Sequence, residues 1–252
     1  MDDTERTNFA AAHHADAPLI LYNIWDAGSA QAVARAGAKA IATGSNPVAG
    51  ANGFADGECF PIDRVLDVAR SIVAAVDLPV SIDFEGGYSA DPGGLAINAQ
   101  RLAETGAVGC NFEDQIIGGE GLHETSVQAE RIKAVVSSGL FVNARTDLFL
   151  SRWKAGENPN RNELIDQAID RAAAYAEAGA ECFFAPGLSD PAMIARLCEN
   201  ISLPVNLIKF PEVPSPAELG KLGVARVSWG GAPWKALIDQ LEQNAAALFA
   251  SV

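Results

Sequence analysis

The chain has 252 residues, with 18 Lys and Arg against 32 Asp and Glu, for a formal charge of −14. With 49% apolar and 20% charged residues it can bury a full-sized core, which excludes wholesale disorder. An acidic surface repels phosphodiester backbones and anionic lipid, so nucleic-acid and membrane partners are not expected.

No apolar run approaches the ~18–20 residues of a membrane span. The start, Met1-Asp2-Asp3-Thr4-Glu5, is acidic where a signal peptide is basic. Cys59, Cys110, Cys182 and Cys198 show no C-x-x-C spacing, which fits a reducing cytoplasm. The only histidines are His13, His14 and His123, two of them in an Ala-rich N-terminal stretch, so a His-built zinc site is not expected. Carboxylates are left as the chemistry-bearing groups.

In chain order, short β-rich runs alternate with helical patterns. The candidate strands are Leu19–Tyr22, Ala40–Thr43, Val80–Asp83, Val108–Phe112, Phe141–Ala144, Cys182–Ala185, Val205–Ile208 and Arg226–Ser228. Ile62, Val65, Leu66, Ala69, Ile72, Val73 and Val76 recur at helical spacing and predict one buried stripe. Leu164 to Tyr175 and Trp234 to Phe249 repeat that pattern.

Helix-to-strand junctions are short, marked by Gly37, Gly106, Gly179 and Gly223 or by Pro79 and Pro204. Strand-to-helix connections are long: Gly44 to Phe60, Asp114 to His123 and Thr146 to Asn160. Such β/α units, elaborated at one end only, predict a single TIM (β/α)8-barrel domain over residues 1–252, with the active site at the strands' C-terminal ends. A doubly wound open sheet is the alternative.

The strand ends share a polar character. Asp83 and Glu85 lie two apart and face the same way on an extended backbone, and Glu113 falls at the matching level of the next strand. Three carboxylates together call for a hard cation, and oxygen-only ligands point to Mg2+, with Mn2+ as the alternative. The competing reading makes them caps for the following helices. Arg145 is the one basic residue among the strand ends and can clamp a substrate carboxylate bidentately. It can equally form an internal salt bridge with Asp147 or a barrel carboxylate. Gly44-Ser45-Asn46 offers donors to an anion, strand 7 offers Asn206, and Trp25 and Tyr88 pack the mouth.

Asn23-Ile24-Trp25-Asp26-Ala27-Gly28-Ser29, Asp83-Phe84-Glu85-Gly86-Gly87-Tyr88, Glu113-Asp114-Gln115 and Asn143-Ala144-Arg145-Thr146-Asp147 together resemble the isocitrate lyase/phosphoenolpyruvate mutase superfamily, on its phosphonomutase-like branch. The likeness runs from about Leu19 to the C-terminus. It implies a TIM barrel whose C-terminal helix is swapped between subunits of a homodimer or homotetramer. It also implies Mg2+ and a small carboxylate substrate, whose C–C or P–C bond beside a 2-oxo acid is made or broken through a metal-stabilised enolate. By position, Asp83 resembles the direct metal ligand, and Glu85 and Glu113 ligands acting through water. Asp56 resembles an acid beside the reacting group. Gly44, Ser45, Asn46, Trp25, Asn206 and Arg145 fall to substrate binding, and Asp56, Arg145 and Glu113 to catalysis.

Two departures narrow the reaction. The isocitrate and methylisocitrate lyases carry a loop cysteine after strand 4; here the stretch reads Ile116-Ile117-Gly118-Gly119-Glu120-Gly121-Leu122. The mutases use a loop lysine and a histidine after strand 6, but no lysine lies between Gln115 and Ile132, and Pro186 takes the histidine's place. The expected activity is therefore a Mg2+-dependent C–C lyase acting on an oxaloacetate-like acid or a substituted malate. The alternatives are phosphonopyruvate hydrolase or mutase chemistry, and a non-catalytic barrel that binds an oxo acid. Glu120 or His123 stands in for the missing loop acid if that loop closes.

Overall fold

The computed structural model describes residues 3–251, so Met1 and Asp2 of the acidic start lie outside it. The chain opens on α1 (Asp3–Ala11) and then alternates: β1 (Leu19–Leu21), α2 (Ala27–Arg35), β2 (Ile41–Ala42), α3 (Ser45–Ala51), α4 (Ile62–Val73), β3 (Val80–Asp83), α5 (Pro92–Ala103), β4 (Gly109–Glu113), α6 (Thr125–Val136), β5 (Phe141–Arg145), α7 (Leu148–Lys154), α8 (Asn162–Glu177), β6 (Cys182–Phe184), α9 (Pro191–Asn200), β7 (Val205–Ile208), α10 (Pro216–Lys221), β8 (Val224–Ser228) and α11 (Ala232–Phe249). All eight strands are parallel and pair with their sequence neighbours from β2 round to β8, and β8 pairs with β1.

Between β1 and β2 the ring is closed by a single bridge, Ile24 to Thr43, in which the Ile24 amide donates to Ala42 O at 2.9 Å. Asn23 reinforces this seam. Its Nδ2 donates to Thr43 O, and its Oδ1 accepts from the Trp229 and Gly230 amides, all at 2.8 Å, tying the ends of β1, β2 and β8 together. The result is a nearly closed TIM barrel, and the open-sheet alternative is set aside.

The helices start where local chemistry caps them. Asp26, Asp91 and Asp190 accept from the third amide of α2, α5 and α9, and Ser215 with Glu218 forms a capping box on α10. Asp83, Glu85 and Glu113 cap none of these helices. Two of the long connections hold short helices that the periodicity does not reveal: α3 and α7 are seven residues each, too short to show a stripe.

At the N-terminal end of the barrel α1 acts as a plug. Phe9 packs edge-on against Phe141 at 5.1 Å, and His13 stacks on the same ring at 4.6 Å. Gly109 makes room, since a Cβ there would lie 2.8 Å from Phe141 O and 3.3 Å from the Phe9 ring. Burial, then the Arg226 charge, push the His13 pKa down to about 3, so this imidazole is neutral filling. With that end sealed, the ligand-accessible opening is the other one.

Candidate active site

The C-terminal mouth of the barrel holds a cavity of about 440 Å³. One wall carries Gly44, Ser45, Asn46, Asp56 and Asp83; Arg145 and Asn111 lie deeper; Leu150, Phe184, Ile208 and Phe210 form the apolar side. Asn111 is fixed from below, because its Oδ1 accepts from Asn143 Nδ2 at 2.8 Å and from the buried Arg226 Nη2 at 3.1 Å.

Asp83 ends β3. Its amide donates to Thr43 Oγ1 at 2.8 Å, and its Oδ2 accepts from the Ser45 amide at 3.0 Å. The Ser45 amide therefore holds a carboxylate of the protein, where the sequence suggested a substrate anion. Asp83 Oδ1 is buried and has no hydrogen-bond partner. Burial raises the Asp83 pKa, opposed by the Arg145 charge and the Ser45 amide and reinforced by the charge of Asp56, which stands exposed at the rim. A buried carboxylate oxygen without a donor is costly to desolvate, which makes it a ready position for a cation.

Glu85 follows in a strained loop. Its Oε2 accepts from the Gly57 and Glu58 amides at 2.8 and 2.9 Å, and its Oε1 from the Tyr88 hydroxyl at 2.9 Å. Tyr88 in turn donates its amide to Glu58 Oε1 at 2.8 Å. Glu58, Glu85 and Tyr88 are the non-glycine residues with positive φ among those described, at 58°, 51° and 58°. Left-handed backbone at such residues costs about 1 kcal/mol or more each and persists only where the surroundings over-determine it. Here the three strained residues bond to one another around a single carboxylate. Burial, followed by the Asp83 charge, pushes the Glu85 pKa up to about 7.

Glu113 ends β4 opposite Arg145 in the parallel register. Arg145 Nη1 lies 2.7 Å from Glu113 Oε2, while Nε and Nη2 donate to the two Asp147 oxygens at 2.7 and 2.8 Å. Both partners of the internal-salt-bridge reading are therefore engaged. Of the five guanidinium N–H groups, three are used and two remain for a ligand. Burial works against the Arg145 charge, but Asp147 and Glu113 outweigh it and hold the pKa well above the usual arginine value. Burial likewise raises the Glu113 pKa well above the carboxylate range, with Arg145 opposing. The neighbouring Asp114 is a framework residue. It accepts from the Asp147 amide, Arg171 and the Tyr175 hydroxyl, and so joins β4, β5 and α8.

Among the described residues, no three His, Cys, Asp or Glu side chains form a ready-made metal cage. The donor set still fits Mg2+, which takes one or two carboxylates directly and keeps several waters. Asp83 Oδ1 offers one direct position, whereas Glu85 and Glu113 are engaged by the Gly57, Glu58 and Tyr88 donors and by Arg145, and neither lines the mouth cavity.

Several expected residues lie elsewhere. Trp25 does not line the mouth cavity; it packs on the core, and Asn23, Gly230 and Gly231 line that sector. Asn206 is fully buried on β7, its amide atoms unpartnered, and it does not line the cavity either. The β4 loop folds back on itself through a Gln115–Leu122 bridge. His123 consequently lines a separate cavity with Glu58, Tyr88 and Arg131, and Glu120 is exposed. Neither reaches the mouth in this conformation. Sequence reasoning missed Asn111, Trp153, Lys154 and Phe210. The last three come from the connections after β5 and β7, where no strand periodicity places a side chain.

The family model for phosphoenolpyruvate phosphomutase matches residues 9–249, and the chain belongs to that family, within the isocitrate lyase/phosphoenolpyruvate mutase superfamily of lyases and mutases. A Burkholderia cenocepacia protein assigned as a phosphonomutase superimposes with a TM-score of 0.92 at 40% identity, over 97% of this chain and 100% of that one. An uncharacterised Mycobacterium tuberculosis protein is 35% identical over 231 residues, 91% of this chain and 84% of that protein. The 2-methylisocitrate lyase of Escherichia coli is 28% identical over 220 residues, 82% of this chain and 71% of that enzyme.

Proposed function

We propose that the protein is a Mg2+-dependent lyase that cleaves a C–C bond of a small 2-oxo or 2-hydroxy carboxylic acid, of the oxaloacetate or substituted-malate type. The observation that carries this reading is the buried, unpartnered Asp83 Oδ1, on a residue lining the same cavity as Arg145. Asp83 would hold Mg2+ directly, with Glu85 and Glu113 behind water molecules. The ion would supply Lewis-acid polarisation of the 2-oxygen.

The chain's own residues supply the rest. Arg145 orients the substrate carboxylate with its two free N–H groups and is kept charged and aimed by Glu113 and Asp147. Asp56, at the rim, is the acid closest in role to proton transfer. The apolar wall of Leu150, Phe184, Ile208 and Phe210 excludes water from the bond being broken. The stretch Ile116 to Leu122 lacks a cysteine, so methylisocitrate cleavage by a loop thiol is not proposed.

Two unpartnered apolar surfaces support a helix-swapped dimer or tetramer. Leu237, Leu241, Leu248 and Phe249 stand exposed on α11, while a groove of about 540 Å³ beside β1 leaves Ile20 and Tyr22 uncovered. Light scattering should report a multiple of 26.3 kDa, and Leu241→Asp should reduce it to the monomer. No helix among the described residues is long and apolar enough to cross a membrane, and the four cysteines are free thiols, which supports a cytoplasmic setting.

The test incubates the protein with Mg2+ and, separately, oxaloacetate, substituted malates and phosphonopyruvate, following 2-oxo acid and phosphate. Appearance of a shorter 2-oxo acid, abolished in Asp83→Ala, is the expected result. Phosphate released from phosphonopyruvate alone would replace the lyase reading with P–C chemistry. A thermal shift with these acids and no turnover would leave a binding barrel.

A further inference from the structure

The apolar wall of the mouth depends on α7, the short helix after β5. Leu148, Phe149 and Leu150 anchor it in the core. Its last turn is strapped to the β7–α10 connection, where Trp153 stacks on Phe210 with centroids 5.0 Å apart and rings 9° from parallel. Trp153 Nε1 also donates to Glu212 Oε1 at 3.1 Å. This fastening sets the position of the next residue, Lys154, at the rim.

Lys154 lines two cavities at once: the mouth, and a second of about 480 Å³ beside it, bounded by Gln115, Arg152, Arg161 and Gln167. The other basic residue lining the mouth, Arg145, is engaged by Glu113 and Asp147, and Arg152 beside Lys154 is paired with Glu157 at 3.0 Å. Lys154 has no ion pair or hydrogen bond among the described residues. In a chain of net charge −14, at a mouth lined by the carboxylates of Asp56 and Asp83, a lysine left without a carboxylate is an unused counter-charge.

We infer that Lys154 is a specificity-determining residue that reads a second, distal anionic group of the substrate, carboxylate or phosphonate, across the apolar stretch formed by Leu150, Phe184 and Phe210. The inference rests on the proposed 2-oxo acid site at Asp83 and Arg145 and assigns Lys154 as the residue that reads the end of the substrate remote from Arg145. A monocarboxylic 2-oxo acid fills the Arg145 end and the apolar stretch but leaves Lys154 unmatched. Lys154 is exposed, so the contact adds selectivity rather than great affinity.

Calorimetry in Mg2+ with three probes tests this: oxalate, which spans only the Arg145 end, and the five-carbon pair 2-oxoglutarate and 2-oxopentanoate. The wild type should bind 2-oxoglutarate about fivefold more tightly than 2-oxopentanoate. Lys154→Gln should erase that preference while leaving the oxalate constant unchanged, and Lys154→Arg should retain it. A preference that survives Lys154→Gln overturns the inference, as does a variant that weakens all three probes alike. Free acetate that tightens 2-oxopentanoate binding in the wild type but not in Lys154→Gln would assign the site to a separate anion instead of the substrate's tail. If the wild type binds none of the three, the 2-oxo acid site itself fails and the subsite falls with it.

Discussion

The two halves of the barrel mouth are made by different means. Over β2 and β3, backbone amides hold the carboxylates: Ser45 on Asp83, and Gly57 and Glu58 on Glu85. Over β5 to β8, the wall is made of packed side chains, with α7 fastened by one aromatic stack and one indole hydrogen bond. The charges of that half are thus held by main-chain donors of the β2–α4 connection. The apolar wall draws Phe184 and Ile208 from strands, and Leu150 and Phe210 from the connections that follow β5 and β7. Arg145, on β5, is where the halves meet, with Glu113 on one side and Asp147 on the other.

That junction gives the largest expected effect. Arg145→Ala leaves Glu113 and Asp147 buried without their cation, and breaking a buried pair of this kind costs about 3–5 kcal/mol. Urea unfolding should show it, and a loss below about 1 kcal/mol would mean that the halves are not joined through this guanidinium. Next in size is Asp83→Ala. It should weaken Mn2+ binding, read by electron paramagnetic resonance, about a hundredfold, with little loss of stability, because it removes a desolvated carboxylate oxygen that has no partner. Trp153→Ala, on the opposite wall, should leave Mn2+ binding within about twofold. Equal losses in the two variants would erase the distinction between the halves.

The same division decides what the sequence discloses. Residues fixed by the strands are legible: Asp83, Glu113 and Arg145 end apolar runs, and the parallel register sets Glu113 opposite Arg145, with Asp83 opposite Asn111 two positions lower. Residues fixed by connections are not. Trp25 has the composition of a mouth residue, yet the turn after β1 directs Asn23 to the seam and Trp25 to the core. Asn206 lies two residues deeper on β7 than Ile208, the β7 residue that lines the cavity. Glu120 and His123 depend on a loop whose own bridge turns it aside. Lys154 lies nine positions beyond Arg145, and only the Trp153–Phe210 contact, between segments 57 apart in sequence, brings it to the rim. Glu85 is an intermediate case. Its type and spacing are visible, but the three positive φ angles that hold it are not.

The smallest expected effect probes that strained loop. With its pKa near 7, Glu85 binds a proton more tightly in the folded chain than in the unfolded one, where the value is about 4.5. Between these values the native state carries more protons, so stability falls as pH rises through the window and levels off above it. Burial raises Asp83 and Glu113 in the same direction, so the slope is shared, and Glu85→Gln should remove only part of it. The Tyr88 hydroxyl donates to the ionised form and holds the Glu85 pKa down. Tyr88→Phe should therefore extend the decline to higher pH, costing about 1 kcal/mol above neutrality and almost nothing at pH 4. Chemical denaturation at several pH values without divalent cation reads this directly. Adding Mg2+ should flatten the slope, since a bound cation favours the ionised carboxylates. Trp153→Ala should lower stability by the same amount at every pH, and a pH-dependent loss there would mean that the apolar wall also controls the carboxylates.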